Sequence, residues 1–124
     1  MKRASLLIAA LGFFLFAQAA QADWTPAKRL TWTSGNSWYP SVAIDPSGNP
    51  HVVWMDNTSG DSEIYYRKSI DGGANWESRQ RLTWTLGWSG WPEIAADSFG
   101  NLHVVWRDSM PGNLEIYYKK YINF

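Results

Sequence analysis

Several residue types and patterns are missing from this chain of 124 residues, and each absence excludes a class of protein. The chain has no cysteine, which excludes disulfides, cysteine-ligated zinc, a thiol nucleophile and the acylated cysteine of a lipoprotein. It has no excess charge of either sign, with 11 Lys and Arg against 11 Asp and Glu, which argues against a nucleic-acid binder held by a basic surface. After residue 22, no long segment shows helical periodicity. We therefore expect a small all-β protein.

The residue type in surplus is tryptophan, with 9 Trp beside 6 Tyr and 5 Phe. This is far above average usage, and such large aromatic side chains belong either in a core or on a binding face. How the tryptophans divide between these two roles is the main functional question that the sequence raises.

Residues 1–22 have the pattern of a secretory signal peptide. Two basic residues follow Met1, an apolar stretch covers 6–17, and a small-residue cleavage site ends at Ala22. The apolar stretch is shorter than the roughly 20 residues that a membrane-spanning helix needs. We therefore expect a mature chain of residues 23–124, secreted or periplasmic, with no membrane association after cleavage.

The mature chain is one unit repeated twice, at a constant offset of 52 residues. The longest matches are RLTWT at Arg29 and Arg81, HVVW at His51 and His103, and EIYY at Glu63 and Glu115. No insertion or deletion is needed, so the two repeats, about 24–75 and 76–124, are expected to fold alike.

Each repeat has the pattern of a four-stranded antiparallel meander. From residue 41 onward, the strands of one unit are predicted over 41–45, 51–56, 63–69 and 76–83, separated by segments rich in Asp, Gly, Asn and Ser. Four strands in a repeat of about 50 residues are typical of a β-propeller blade. The predicted fold is therefore all-β, with two four-stranded propeller blades.

Residues 69–76 carry a motif that resembles a known family. Ser69, Asp71, Gly73 and Trp76 match the four signature positions of the Asp-box pattern S-x-D-x-G-x-x-W, or BNR repeat, of the sialidase superfamily. The resemblance implies a sialidase-like propeller. In the turn, Ser69 and Asp71 are expected to accept hydrogen bonds from amides, Gly73 to supply a positive φ, and Trp76 to fold back over the hairpin. These roles are structural rather than catalytic.

The repeats predict two blades that are circularly permuted. Trp24 matches Trp76, so residues 24–31 are predicted as an outer strand that completes another blade. Closed propellers have roughly four to eight blades, and two blades alone leave exposed edges. Two explanations stay open: three copies assemble into a six-bladed ring, or the sequence is a fragment of a longer sialidase-like protein.

One end of the predicted strands gathers aromatic and acidic residues in loops that differ between the repeats. Such residues suit a glycan or glycoconjugate, because an apolar sugar face stacks on a ring while polar groups bind its hydroxyls. Among the tryptophans, Trp54 and Trp106 lie mid-strand and are predicted to be buried in the core. The matched pair Trp32 and Trp84 is also assigned to core packing. The predicted ligand-binding residues are Trp38, Tyr39, Trp88, Trp91 and Arg107.

Catalysis is the alternative prediction, and a protein-interaction scaffold is a third. The resemblance implies an arginine triad, a Tyr–Glu pair and an Asp acid, but the Arg-Ile-Pro segment of the family is missing. The candidate carboxylate pairs for glycoside hydrolysis are Asp56 with Glu63 and Asp108 with Glu115. Loop capping and ion pairing are the competing explanation for these acids.

No metal or cofactor is predicted. His51 and His103 open matched strands with no second ligand nearby, which favours a structural role. The acidic loop 56–63 lacks the alternating spacing of a calcium loop.

Overall fold

The computed structural model describes residues 12, 15, 21–110 and 112–124. The predicted signal peptide therefore lies almost wholly outside the described residues. Within the part that is described, no helix is long and apolar enough to span a bilayer.

The described residues form seven strands in two antiparallel sheets, one sheet from each repeat. The first sheet has the order β1 (Ser37–Ile44), β2 (Pro50–Asp56), β3 (Glu63–Lys68) and β4 (Gln80–Arg81). The second has the order β5 (Ser89–Ala96), β6 (Leu102–Asp108) and β7 (Glu115–Tyr121). Registers match at the offset of 52 residues, since Trp54 pairs with Tyr65 and Trp106 with Tyr117. The all-β prediction is confirmed.

The strand boundaries differ from the prediction at the two edges of each sheet. Of residues 76–83 only the two residues of β4 are strand, residues 24–31 form none, and the described second sheet has three strands. Residues 77–79 have exposed side chains and only β3 beside them, so few contacts hold this part of the outer segment in register. At the other edge, β1 and β5 begin inside the segments predicted as loops.

The two sheets pack face to face around one core, and each contributes a different face. Side chains alternate along a strand, so Val53 and Met55 point to one side of β2 and Val52 and Trp54 to the other. The second sheet packs with the side of β6 that carries Val104 and Trp106, which match Val52 and Trp54. The core consists of Val53, Met55, Ile64 and Tyr66 from the first sheet and Ile94, Leu102, Val104 and Trp106 from the second. The sheets therefore stack through unlike faces.

The β1–β2 and β5–β6 turns are built alike around a hydrogen-bonded histidine. The Asp45 carboxylate accepts hydrogen bonds from the Ser47 and Asn49 amides at 2.9 and 3.0 Å and lies 2.9 Å from His51 Nε2. His51 Nδ1 lies 2.7 Å from the Tyr66 hydroxyl. Burial raises the pKa of Tyr66, so its hydroxyl stays protonated. Asp97, His103 and Tyr118 repeat the arrangement at 2.9 and 2.8 Å.

The shared core predicts that two isoleucines close in sequence contribute very differently to the free energy of unfolding. Ile64 is 0% exposed in the core and Ile70 is 65% exposed in the turn after β3. Because a buried cavity remains, Ile64→Ala is expected to lower the free energy of unfolding by about 2–5 kcal/mol. Ile70→Ala is expected to change it by less than about 0.5 kcal/mol. Urea denaturation followed by tryptophan fluorescence measures both, and equal losses would contradict the packing described.

Candidate functional site

β1 and β5 each contain a β-bulge that places an aromatic residue in the left-handed backbone region. The register shifts between Trp38 and Ser41 in β1 and between Gly90 and Glu93 in β5. Tyr39 and Trp91, inside these bulges, have φ values of 48° and 49°. No other described non-glycine residue has a positive φ. Such strain costs about 1–3 kcal/mol and is concentrated at functional sites, where bulges re-aim side chains.

Three aromatic rings and one cation come together at the two bulges, with Trp88 partly buried against the core and the other three residues on the surface. The ring centroids of Tyr39 and Trp91 are 5.1 Å apart, and those of Trp88 and Trp91 are 4.8 Å apart. The Arg107 guanidinium lies 5.0 Å from the Trp91 centroid. Tyr39 is 51% exposed and Trp91 40%. We call these four residues the aromatic platform. Tyr39 comes from the first sheet and the others from the second, so the platform depends on sheet stacking.

Contacts between β1 and β5 fix the position of the platform. The Ser41 hydroxyl donates to Glu93 at 3.1 Å and accepts from the Ile94 amide at 3.3 Å. Gly90 provides the room for the Trp88 ring, because a Cβ there would lie 2.6 Å from ring atoms. The first repeat has Trp38 at the position of Gly90, so only the second repeat has this space for an aromatic ring.

The remaining predicted aromatic residues lie elsewhere. Trp38 is apart from the platform and lines a cavity with Leu30 and Val52 on the other side of the first sheet. The assignment of Trp32 and Trp84 to the core is wrong, since they are 63% and 67% exposed. Both lie at the outer edge, where cations flank them: Arg29 and Arg67 around Trp32, Arg81 and Lys119 around Trp84.

The candidate carboxylate of the first repeat, Asp56, is buried and fully used by its own loops. It accepts hydrogen bonds from the Ser37 hydroxyl at 2.8 Å, the Thr33 hydroxyl at 3.1 Å and the Thr58 amide at 2.8 Å. Burial raises the pKa of Asp56, but these hydrogen bonds outweigh it and the net direction is downward. Asp56 is therefore a charged acceptor that fixes loops.

Glu63 and Asp108 are buried at the junction of the two sheets. Glu63 forms an ion pair with Arg81 at 3.0 Å and accepts a hydrogen bond from the Thr83 hydroxyl. Asp108 accepts from the Ser89 hydroxyl at 2.8 Å, and the same hydroxyl lies 3.4 Å from Glu63. Glu63 pairs across the strands with Asp56, and Asp108 with Glu115. Protein donors nevertheless occupy the three buried carboxylates, whereas Glu115 is exposed.

The turn at 69–76 has its own network of hydrogen bonds. The Ser69 hydroxyl donates to Asp71 at 2.7 Å and accepts from the Gly73 amide at 2.8 Å. Asp71 accepts from the Asn75 amide at 2.8 Å, and the Trp76 indole N–H donates to the Gly73 carbonyl at 3.2 Å. Gly73 has φ 96°, which favours glycine. These residues hold a hairpin turn, away from the aromatic platform.

No group of three or more His, Asp or Glu side chains in the described part of the chain is placed to hold a metal ion. The two histidines are bonded within their turns.

Comparison with solved structures finds a similar fold in a protein named Hadza microbial sialidase Hz136. The TM-score is 0.57 and the sequence identity 19%, over 68% of this chain and 23% of that chain. The fold is sialidase-like. This chain thus spans less than a quarter of the length of that sialidase. No protein-family model matches the sequence, and neither does any curated protein.

The bulge at Trp91 predicts that a glycine substitution there is less destabilising than an alanine substitution. Both Trp91→Gly and Trp91→Ala remove the ring, but only alanine keeps a Cβ at φ 49°. The glycine variant is therefore expected to be more stable than the alanine variant by about 1 kcal/mol. At Trp88, which has no positive φ, the order is expected to reverse by about 0.5 kcal/mol. Chemical denaturation of the four variants tests this. The same order of stability at both positions would contradict a strained backbone at Trp91.

Asp71 predicts a local dependence of stability on pH. Hydrogen bonds from the Asn75 backbone, the Asn75 side chain and Ser69 lower the pKa of Asp71 from 3.8 to about 2. A lowered pKa means that the charged form stabilises the fold fully above about pH 4, and this contribution is lost as the pH falls through 2. The stability difference between the wild type and Asp71→Asn should therefore shrink from pH 5 to pH 2. An NMR titration of the Asp71 carboxyl near 3.8 would contradict the network.

Proposed function

We propose that this chain is a secreted, non-catalytic carbohydrate-binding protein that assembles with further copies of itself. The aromatic platform is the observation that carries the binding proposal. Tyr39 and Trp91 are exposed at the junction of the two sheets and held by a strained backbone, and Trp88 is partly buried beneath them against the core. Secretion is supported by the signal-peptide pattern of residues 1–22.

The platform offers both kinds of contact that a sugar needs. Its three rings are inclined to one another, by 41° between Tyr39 and Trp91 and by 64° between Trp88 and Trp91. Neighbouring sugar units can therefore stack their apolar C–H faces on different rings. Tyr39 provides a hydroxyl and Arg107 five N–H donors for the sugar oxygens. Arg107 also favours a glycan that carries a carboxylate, because guanidinium and carboxylate groups pair bidentately.

The state of the carboxylates supports binding without hydrolysis. Most glycoside hydrolases place one carboxylic acid and one carboxylate on either side of the scissile bond. Here Asp56, Glu63 and Asp108 are buried and bonded to hydroxyl, amide or guanidinium groups of the protein. The name sialidase belongs to the protein of similar fold, and a shared fold does not carry an activity with it. In each candidate carboxylate pair, at least one acid is therefore already bonded within the protein, which counts against the alternative of a fragmentary glycoside hydrolase.

The test compares glycan binding by the secreted chain and by platform variants. A glycan array identifies ligands, and calorimetry then measures the dissociation constant for Trp88→Ala and Trp91→Ala. Each variant is expected to bind at least about fivefold more weakly, since loss of a stacked ring removes on the order of 1 kcal/mol or more. Trp24→Ala is the matched control, because Trp24 is exposed and lies outside the platform.

Three results would overturn the proposal. Unchanged affinity in both platform variants would remove the assigned site, and the absence of any glycan ligand would remove the function. Release of a fluorescent group from a sialoside by the wild type, lost in Asp56→Asn, would instead establish hydrolysis. Circular dichroism of each variant checks that the β-sheet signal is kept.

A further inference from the structure

The junction between the two sheets shows which hydrogen bonds and ion pairs join one sheet of this chain to the other. Residues 81–84 follow β3 and bridge it to the second sheet. The Leu82 amide donates to the Ile64 carbonyl at 2.7 Å, and the Ile64 amide donates to the Thr83 hydroxyl at 2.8 Å. Arg81 pairs with Glu63 at 3.0 Å. On the other side, Lys119 of β7 donates to the Leu82 carbonyl at 2.8 Å.

The same residues occur 52 positions earlier at 29–32, a segment that we call the strap. The strap already has the conformation of its counterpart: Arg29 Nε donates to the Thr31 carbonyl at 2.7 Å, as Arg81 Nε does to the Thr83 carbonyl at 2.6 Å. It is also held on the first sheet in the same way, since Arg67 donates to the Leu30 carbonyl at 2.5 Å. The side of the strap that corresponds to the Arg81–Glu63 contact makes no such contact here, because Arg29 pairs with no carboxylate of the described residues.

The second sheet carries the surface that matches this side of the strap. Glu115 and Ile116 of β7 stand where Glu63 and Ile64 stand in β3. Ile64 is 0% exposed and Ile116 is 71% exposed. We define the open face of the second sheet by the residues of β6 and β7 that are exposed although their counterparts in β2 and β3 are buried: Val105, Arg107, Glu115, Ile116 and Tyr118.

We infer that a second copy of this chain covers the open face, with its strap paired to β7 and its first sheet stacked on the second sheet. In this contact Arg29 of the second copy pairs with Glu115. The Thr31 hydroxyl of the second copy meets Glu115 and the Ile116 amide. Each of these bonds repeats one that the chain already makes internally, at an offset of 52 residues.

Three features favour a copy of this chain as the occupant. The contact continues an interface that exists within the chain, its charges are opposite at Arg29 and Glu115, and the strap needs no reordering before it binds. A preformed segment loses little conformational entropy on binding. The contact joins different surfaces of the two copies, so it closes into a ring when the rotation allows. Three copies give six blades, within the roughly four to eight of known propellers.

This inference rests on the self-assembly proposed above and names its contact residues. Arg107 of the aromatic platform lies on the open face, so the assembly contact and the glycan site share that residue. The contact is therefore tested at Arg29 and Glu115, which are not part of the platform, and in the absence of glycan. Absence of assembly by the wild type, with glycan binding kept, would overturn the contact alone. The measurement is light scattering of the purified secreted chain after size-exclusion chromatography. A mass of three chains is expected, and a monomer at about 100 μM would overturn the inference.

Charge reversal tests the assigned contact. Arg29→Glu and Glu115→Arg each place like charges together and are expected to raise the dissociation constant of the assembly at least tenfold. The double variant restores opposite charges and should recover the assembly. Asp61→Arg is the control, since it reverses an exposed charge on the loop after β2 and should leave the mass unchanged. An assembly that persists in both single variants, or is not recovered in the double variant, would overturn the contact.

Ile116→Ala provides a second test that does not depend on charge. The side chain is exposed within one chain, so the variant is expected to keep the circular dichroism spectrum and the monomer fold. It should still weaken the assembly at least tenfold, because Ile116 takes the buried position of Ile64. Assembly equal to that of the wild type would contradict the inference.

Discussion

The stacking of the two sheets through unlike faces is the interaction on which the rest of this structure depends. A small sheet cannot bury an apolar face without a neighbour, so each repeat needs the other for a stable core. The stacking places β5 beside β1, where Ser41 bonds to Glu93 and the amide of Ile94. It thereby brings Tyr39 to Trp91. The core, the aromatic platform and the open face all follow from one contact.

The buried acids serve that same contact. The Ser89 hydroxyl lies within hydrogen-bonding reach of both Glu63 and Asp108, and the Ser89 amide donates to the Ser62 carbonyl at 2.8 Å. Buried carboxylates are tolerated only when donors satisfy them, and removing one donor leaves a costly unpaired group. In a sequence, carboxylates near loops can be explained either by catalysis or by loop capping and ion pairing. Here the hydrogen bonds favour the second, structural explanation.

The similarity to a sialidase concerns the fold, and function resides in the sites that a fold carries. In this chain the two repeats differ most where the platform lies. Gly90 replaces Trp38 of the first repeat and makes room for Trp88, while Arg107 replaces Met55. The identical pair Trp54 and Trp106 is buried in both repeats, whereas the identical pair Ile64 and Ile116 is buried only in the first. The substitutions between the repeats therefore mark the candidate binding surface.

The sequence by itself determined the all-β class, the repeat, the inner strands and the burial of Trp54 and Trp106. These features follow from local alternation and turn chemistry, which act over a few residues. Only the tertiary structure decided the bulges, the exposure of Trp32 and Trp84, and the position of Trp38 away from the platform. The reason is that a β-strand has two faces, and which face is covered depends on a sheet that lies about 50 residues further along the chain.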